Sequence, residues 1–174
     1  MKRKAVKNKM RAEDRKKIFN KAAFSHKKET RLESIQKLST AECAYDLIQM
    51  IYQSPYKSMK ARAANKLADI FVFTSENDKS KYTKDSLIFI AAYSDKKQTR
   101  MASIEKMELM MEKQPKLSIL LRRTAAISDY DDTGIIAVEK LKDSRRDLEL
   151  LIQRQIPRRQ AVLEKTFSLL LDRR

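Results

Sequence analysis

One stretch of seventeen residues occurs twice in this chain. Residues 22–38 read AAFSHKKETRLESIQKL and residues 91–107 read AAYSDKKQTRMASIEKM. Ten of the seventeen positions are identical, and Phe24 for Tyr93, Leu32 for Met101 and Leu38 for Met107 are conservative exchanges. Self-similarity at a fixed offset is the signature of a repeat architecture. The offset is 69 residues, long for one supersecondary unit, so a further copy is expected between the two.

That copy is present in worn form. Residues 54–67 begin with Ser and end with Lys-Leu, as residues 25–38 do, and residues 128–141 fit the same frame. A fainter fifth frame matches Arg159–Lys165 to Arg100–Lys106. The anchor position then falls at Arg31, Lys60, Arg100, Gly134 and Arg159, with gaps of 29, 40, 34 and 25. Uneven gaps place insertions in loops.

Composition sets the fold class. The chain has 174 residues, enough for one domain or one short array. Hydrophobic residues make up 42%, which can fill a core, and there are only one Gly and three Pro. Few breakers among abundant Lys, Glu, Leu, Ala, Arg and Met describe an all-α protein. No strand-like alternation bounded by turn residues is found. No apolar run is long enough to span a bilayer, and the basic N-terminus has no apolar segment behind it, so no secretory signal is read. A single cysteine, Cys43, allows no internal disulfide and fits a reducing cytoplasmic setting.

The net charge of +16 is uneven: residues 1–31 hold thirteen basic and three acidic residues, a share of +10. Residues 1–11 read as a flexible basic tail, and residues 12–174 as the helical repeat domain. Helices are expected at about 10–24, 27–38, from Thr40 to Pro55, 57–73, 83–93, 96–113, from Pro115, from the Asp129-Tyr130-Asp131-Asp132 turn, from Asp143 or Ser144, and from Pro157. Residues 74–81 form the longest loop. The second helix of each pair carries the repeated motif, with apolar residues one, four and seven places after the anchor, as in Leu32, Ile35 and Leu38. Stacked hairpins of this kind make an α-solenoid; a compact orthogonal helical bundle is the alternative.

The stretches TRMASIEKM and RRQAVLEK resemble the second helix of the HEAT repeat, with its basic residue, small residue, branched apolar residue and Lys-Leu. The resemblance covers about residues 12–172 and concerns the fold, implying about five helical hairpins. HEAT-like DNA glycosylases share the architecture; the resemblance implies stacking aromatics for them, Trp included, and this chain has no Trp. That activity stays a minor alternative.

Candidate chemistry is sparse. The acidic turn at 129–132 could offer carboxylates to a cation, but N-capping of the next helix by Asp131 or Asp132 explains it better. His26 stands alone, with Asp95 in its place in the second copy. Cys43 near a helix start reads as a buried thiol. Met59, Met101, Met107, Met110 and Met111 lie at helical spacing and read as core. No Gly-rich phosphate loop, nucleophile elbow or paired-His helix is present. No enzyme, no cofactor, no metal and no small-molecule substrate is therefore expected. The anchors Arg31, Arg100 and Arg159 either bond neighbouring repeats as a ladder or line a basic groove.

The expectation is a non-enzymatic protein that contacts nucleic acid through its phosphates. The contacts would come from the tail (Lys2, Arg3, Lys4, Lys7, Lys9, Arg11), from Arg15, Lys16, Lys17, Lys27, Lys28 and Arg31, and from Lys96, Lys97 and Arg100. Tyr56 and Tyr82 could add stacking. The alternative is a protein-interaction scaffold for an acidic partner.

Overall fold

The computed structural model describes residues 10–72 and 81–172. Among these, the chain is all-helical. The elements are α1 (Ala12–Phe24), α2 (Lys28–Gln36), α3 (Ala44–Gln53), α4 (Lys57–Val72), α5 (Lys81–Tyr93), α6 (Lys97–Lys113), α7 (Ser118–Ile127), α8 (Asp131–Glu139), α9 (Arg145–Gln155) and α10 (Gln160–Leu171). Single 3-10 turns, Ala41–Cys43 and Pro115–Leu117, lead into α3 and α7.

Local chemistry explains most boundaries. Ser54 is held extended ahead of Pro55, so α3 stops there. Pro115 occupies the first position of a 3-10 turn, where its missing N–H costs nothing. Ser144 caps α9: its Oγ accepts from the Asp147 N–H and donates to the Asp147 carboxylate. Two expectations need correcting. Pro157 does not open α10, which starts at Gln160 with Arg159 at the N-cap position. Asp131 and Asp132 do not cap α8; Tyr130 holds the N-cap position without a side-chain hydrogen bond, and the two acids occupy the first turn with their carboxylates turned to neighbouring arginines.

Each helix packs on the next to make a pair: α1 with α2, α3 with α4, α5 with α6, α7 with α8 and α9 with α10. First helices also pack on first helices along the chain, from α1 to α3, α5, α7 and α9 in turn. Second helices touch likewise, α2 to α4, and α6 to α8 to α10.

The anchor frame predicts burial on the second helices. Four and seven places after the anchor, Ile35 and Leu38, Ala64 and Leu67, Ile104 and Met107, and Val138 and Leu141 are all buried. Fully burying each of the larger side chains contributes roughly 1.5–3 kcal/mol. One place after the anchor, Leu32, Ala61, Met101 and Ile135 are only partly covered. A small residue sits three places after it, Ser34, Ala63, Ser103 or Ala137, and is buried where neighbouring helices approach.

The buried side chains form two clusters that meet on α5. Phe89, Ile90, Ala92 and Tyr93 belong to a first core that begins at Ala22. Leu87, Ile88 and Ala91 belong to a second that runs to Val162. An apolar helix covered on all sides is what such a central position requires. Met59 and Met107 are core, and Met101, Met110 and Met111 pack against it.

Candidate functional site

The turns between the first and second helix of the first four pairs share one piece of chemistry. Ser25, Ser54, Ser94 and Ser128 each follow a first helix, six residues before the anchor. In all four the hydroxyl accepts the N–H two residues on, at Lys27, Tyr56, Lys96 and Tyr130. The serine thereby fixes the turn and satisfies an otherwise orphaned donor at the start of the second helix. Successive turns are tied together: Ser54 Oγ donates to the Ala23 carbonyl, the Asp129 N–H to Ala92, and the Arg158 N–H to Ala126.

The anchors lock this edge. Arg31 donates from Nη1 to the Ser25 carbonyl at 2.6 Å and the His26 carbonyl at 3.0 Å, and its guanidinium lies 3.7 Å from the centre of the Tyr56 ring in the next turn. Arg100 donates to the Ser94 carbonyl, and stacks 3.8 Å from the Tyr130 ring. It also reaches Thr133 Oγ1 from Nε at 2.8 Å and both Asp132 oxygens from Nη2. The two side chains are nine-tenths buried, with 7% and 4% of their surfaces exposed. Arg159 pairs with Asp131 on the surface. Of the two readings of the anchors, these contacts are those of the ladder.

The departures at Lys60 and Gly134 have local causes. The turn ahead of Lys60 has Lys96 where the others have tyrosine, and Lys60 instead places its ammonium 5.7 Å from the ring of Tyr93, at the end of α5. Gly134 has no room for a side chain: a Cβ there would run into Val162 of α10. The α8–α10 contact thus excludes a basic anchor in the fourth frame.

Electrostatics along the edge follow from these contacts. Burial pushes the Asp132 carboxyl up, but the Arg100 guanidinium and the Thr133 N–H and hydroxyl outweigh it and hold the group below its ordinary value of 3.8. The Arg159 hydrogen bonds lower the Asp131 carboxyl in the same direction. Burial raises the Tyr130 phenol, against the opposing pull of Arg100. Asp46 on α3 is raised by burial despite its 3.0 Å ion pair with Arg15.

Exposed cations decorate the same turns. Lys27 is the N-cap of α2 and Lys28 its first residue; Lys96 and Lys97 are the equivalents on α6, and Lys57 opens α4. All five are exposed. Lys97 lies 3.7 Å from Asp132. Among the described residues, Lys27, Lys28, Lys57 and Lys96 form no ion pair. A helix N-terminus carries partial positive charge, so each lysine there costs about 0.3–1 kcal/mol where an acid would stabilise. Residues from Lys2 to Lys9 lie outside the described residues, as does the side chain of Tyr82. Arg11 precedes α1 and is exposed, Lys16 and Lys17 are exposed on α1, and Arg15 is spent on Asp46 and the Glu42 carbonyl.

Little else on the surface suggests chemistry. His26 is exposed and lends only its carbonyl, to Arg31. Cys43 is buried beside the Thr40 hydroxyl at 3.3 Å. Among the described residues no group of three metal-ligating side chains forms, and no helix is long and apolar enough to cross a membrane. A shallow depression of about 430 Å³ lies at the start of α10, lined by Asp131, Arg158, Arg159, Gln160, Ala161 and Glu164. Sequence reading missed Tyr56 and Tyr130 as the partners of the anchors; the signal was the tyrosine two places after Ser54 and Ser128.

Comparison with protein-family models, with curated proteins and with solved structures finds no match to this chain.

Proposed function

We propose that the protein is a non-enzymatic, HEAT-like α-solenoid that binds nucleic acid through phosphates laid along its turn edge. The packing of first helix on first helix and second on second supports the solenoid over the bundle. One observation carries the binding reading: lysines stand exposed in the first turns of α2, α4 and α6, where helix electrostatics disfavour them. Folding does not need positive charge there. A polyanion does, and counterion release on phosphate contact supplies the affinity.

In this reading the arginine ladder orders the turns and the lysines meet the ligand. Lys27, Lys28, Lys57, Lys96 and Lys97 give the structured contacts, continued by Lys16, Lys17 and Arg11 on α1 and by the basic segment from Lys2 to Lys9. Such contacts position a duplex or strand without reading its sequence.

The test is anisotropy of a labelled oligonucleotide between about 50 and 200 mM salt. The five lysine–phosphate contacts alone should contribute roughly two to three orders of magnitude to the weakening over that range, and replacing the five lysines by glutamine should weaken binding and lower the salt slope by about four to five. Salt-insensitive binding, or full binding by the glutamine variant, would overturn the reading. A second reading, a scaffold for an acidic protein, is favoured by the aromatic surface of α3, where Tyr45 and Tyr52 are 53% and 58% exposed. A complex captured from cells that survives nuclease would support it.

A further inference from the structure

The two copies of the repeated stretch share an arginine in one geometry, but only one of the arginines has a counter-charge. Arg100 is stacked on Tyr130, bonded to its own turn, and neutralised by Asp132. Arg31 is stacked on Tyr56 and bonded to its own turn in the same way. In the frame that aligns Ser54 with Ser128, Lys57 stands for Asp131, Ser58 for Asp132 and Met59 for Thr133. The acceptors that satisfy Arg100 are therefore missing from the turn facing Arg31. Its Nε is buried with no hydrogen-bond partner. Among the described residues no carboxylate pairs with it.

A buried guanidinium without an anion is costly. Here the neighbouring turn adds charge of the same sign: Lys57 is exposed at the first position of α4, and that first turn holds no acid. The result is a cationic seat with three sources, the buried Arg31, the Lys57 ammonium and the partial positive charge at the start of a sixteen-residue helix. Ser58, exposed beside them, adds a hydroxyl donor. We propose that this seat binds a phosphate-class oxyanion where Asp132 places its carboxylate in the second copy. The anion contacts Lys57, Ser58 and the α4 N–H groups, and Arg31 supplies counter-charge from beneath. This deepens the nucleic-acid reading and rests on it for the ligand's source, a backbone phosphate; free inorganic phosphate presents the same chemistry.

The seat can be filled from within. Ser58→Asp puts a carboxylate where the second copy has Asp132, and Ser58→Ala serves as the control. Thermal unfolding of the full chain is followed with and without inorganic phosphate at constant ionic strength. Phosphate at ten times its Kd should raise the midpoint of the native chain by about 3–6 °C. Ser58→Asp should unfold at a higher temperature than the native chain without phosphate and respond little to it, and Ser58→Ala should still respond. The seat is refuted by an unresponsive native chain or by a Ser58→Asp variant that responds in full. An oligonucleotide arm separates the sources: Ser58→Asp should weaken binding about tenfold if a backbone phosphate occupies the seat. Full oligonucleotide binding by Ser58→Asp, with its phosphate response lost, would assign the seat to free phosphate and leave the lysine edge intact. A phosphate response in a chain that binds no oligonucleotide would keep the seat and remove the interface.

Discussion

Arg31 and Arg100 begin from the same sequence and end in different chemistry. Both close the turn behind them and lie flat on a tyrosine of the turn ahead. They differ in what that next turn offers. Around Arg100 it offers Asp132 and Thr133, so the guanidinium is neutralised and its Nε satisfied. Around Arg31 it offers Lys57, Ser58 and Met59, and Nε stays unpartnered. A repeat motif therefore specifies the packing of its own hairpin, and the neighbouring frame decides whether the anchor is a closed strut or an open charge.

The largest expected difference is in stability. Arg100→Ala removes hydrogen bonds to Ser94, Thr133 and Asp132 together with the ring contact, and leaves Asp132 only the exposed Lys97. A loss of about 2–4 kcal/mol follows. Arg31→Ala loses fewer bonds and also removes an uncompensated buried charge, so its cost should be only about 1 kcal/mol. Urea unfolding with an unchanged slope measures both. Equal losses would show that Asp132 adds nothing to its arginine, and the contrast between the copies would collapse.

The fourth frame extends the comparison to a position with no anchor at all. Gly134→Ala sets a Cβ against Val162, which is fully buried. Overpacking costs about 1–3 kcal/mol, and about 1 kcal/mol returns through the better helix propensity of alanine. The net loss should be about 1 kcal/mol. Adding Val162→Ala should make the Gly134→Ala step neutral or favourable, a coupling that a double-mutant cycle reads directly. Additive effects would mean that α10 is not what excludes a side chain there.

These contrasts also mark what the sequence could and could not convey. Leu32, Ile35 and Leu38 and their counterparts were legible because burial on a second helix is periodic and local. The serine that opens the first four frames was visible, and its hydrogen bond is local too. Tyr56 and Tyr130 were not legible as stacking partners, because that contact joins an anchor to a turn 25 or 30 residues further on, a pairing set by how hairpins stack. The acids of α8 read as caps for the same reason: a carboxylate in a first turn satisfies helix electrostatics whether or not an arginine from another hairpin reaches it. Lysines in first turns were legible as charge, while their standing against the helix dipole needed the boundaries of α2, α4 and α6.

Acid should act on the second copy first. The folded-state carboxyl of Asp132 lies below its ordinary value of 3.8, so its ion pair stabilises above that pH and is lost as pH falls through the lower folded value. Asp132→Asn should lower stability at neutral pH by about 1 kcal/mol and flatten that part of the acid limb. Ser58→Asn should leave the acid limb unchanged, because the first copy has no carboxylate at that place. Unfolding free energies between pH 2 and 7 give the comparison, and an acid limb that Asp132→Asn leaves intact would move the acid sensitivity elsewhere.

The smallest effect is the reverse operation, giving the first copy the acid it lacks. Ser58→Asp adds a carboxylate to the first turn of α4, close to Lys57 and over the buried Arg31. A partly exposed pair and the helix terminus together should yield about 0.5–1 kcal/mol at low salt. The gain should shrink as salt screens the exposed part, and the part owed to Arg31 should persist. Ser58→Asp in an Arg31→Met background isolates that part. If the gain is the same in both backgrounds, the new carboxylate answers only the helix terminus, and Arg31 is not the open charge that the comparison of the two copies makes it. If the gain falls by half or more, the anchor and the first turn of the next hairpin form one electrostatic unit, closed by a side chain in the second copy and left open in the first.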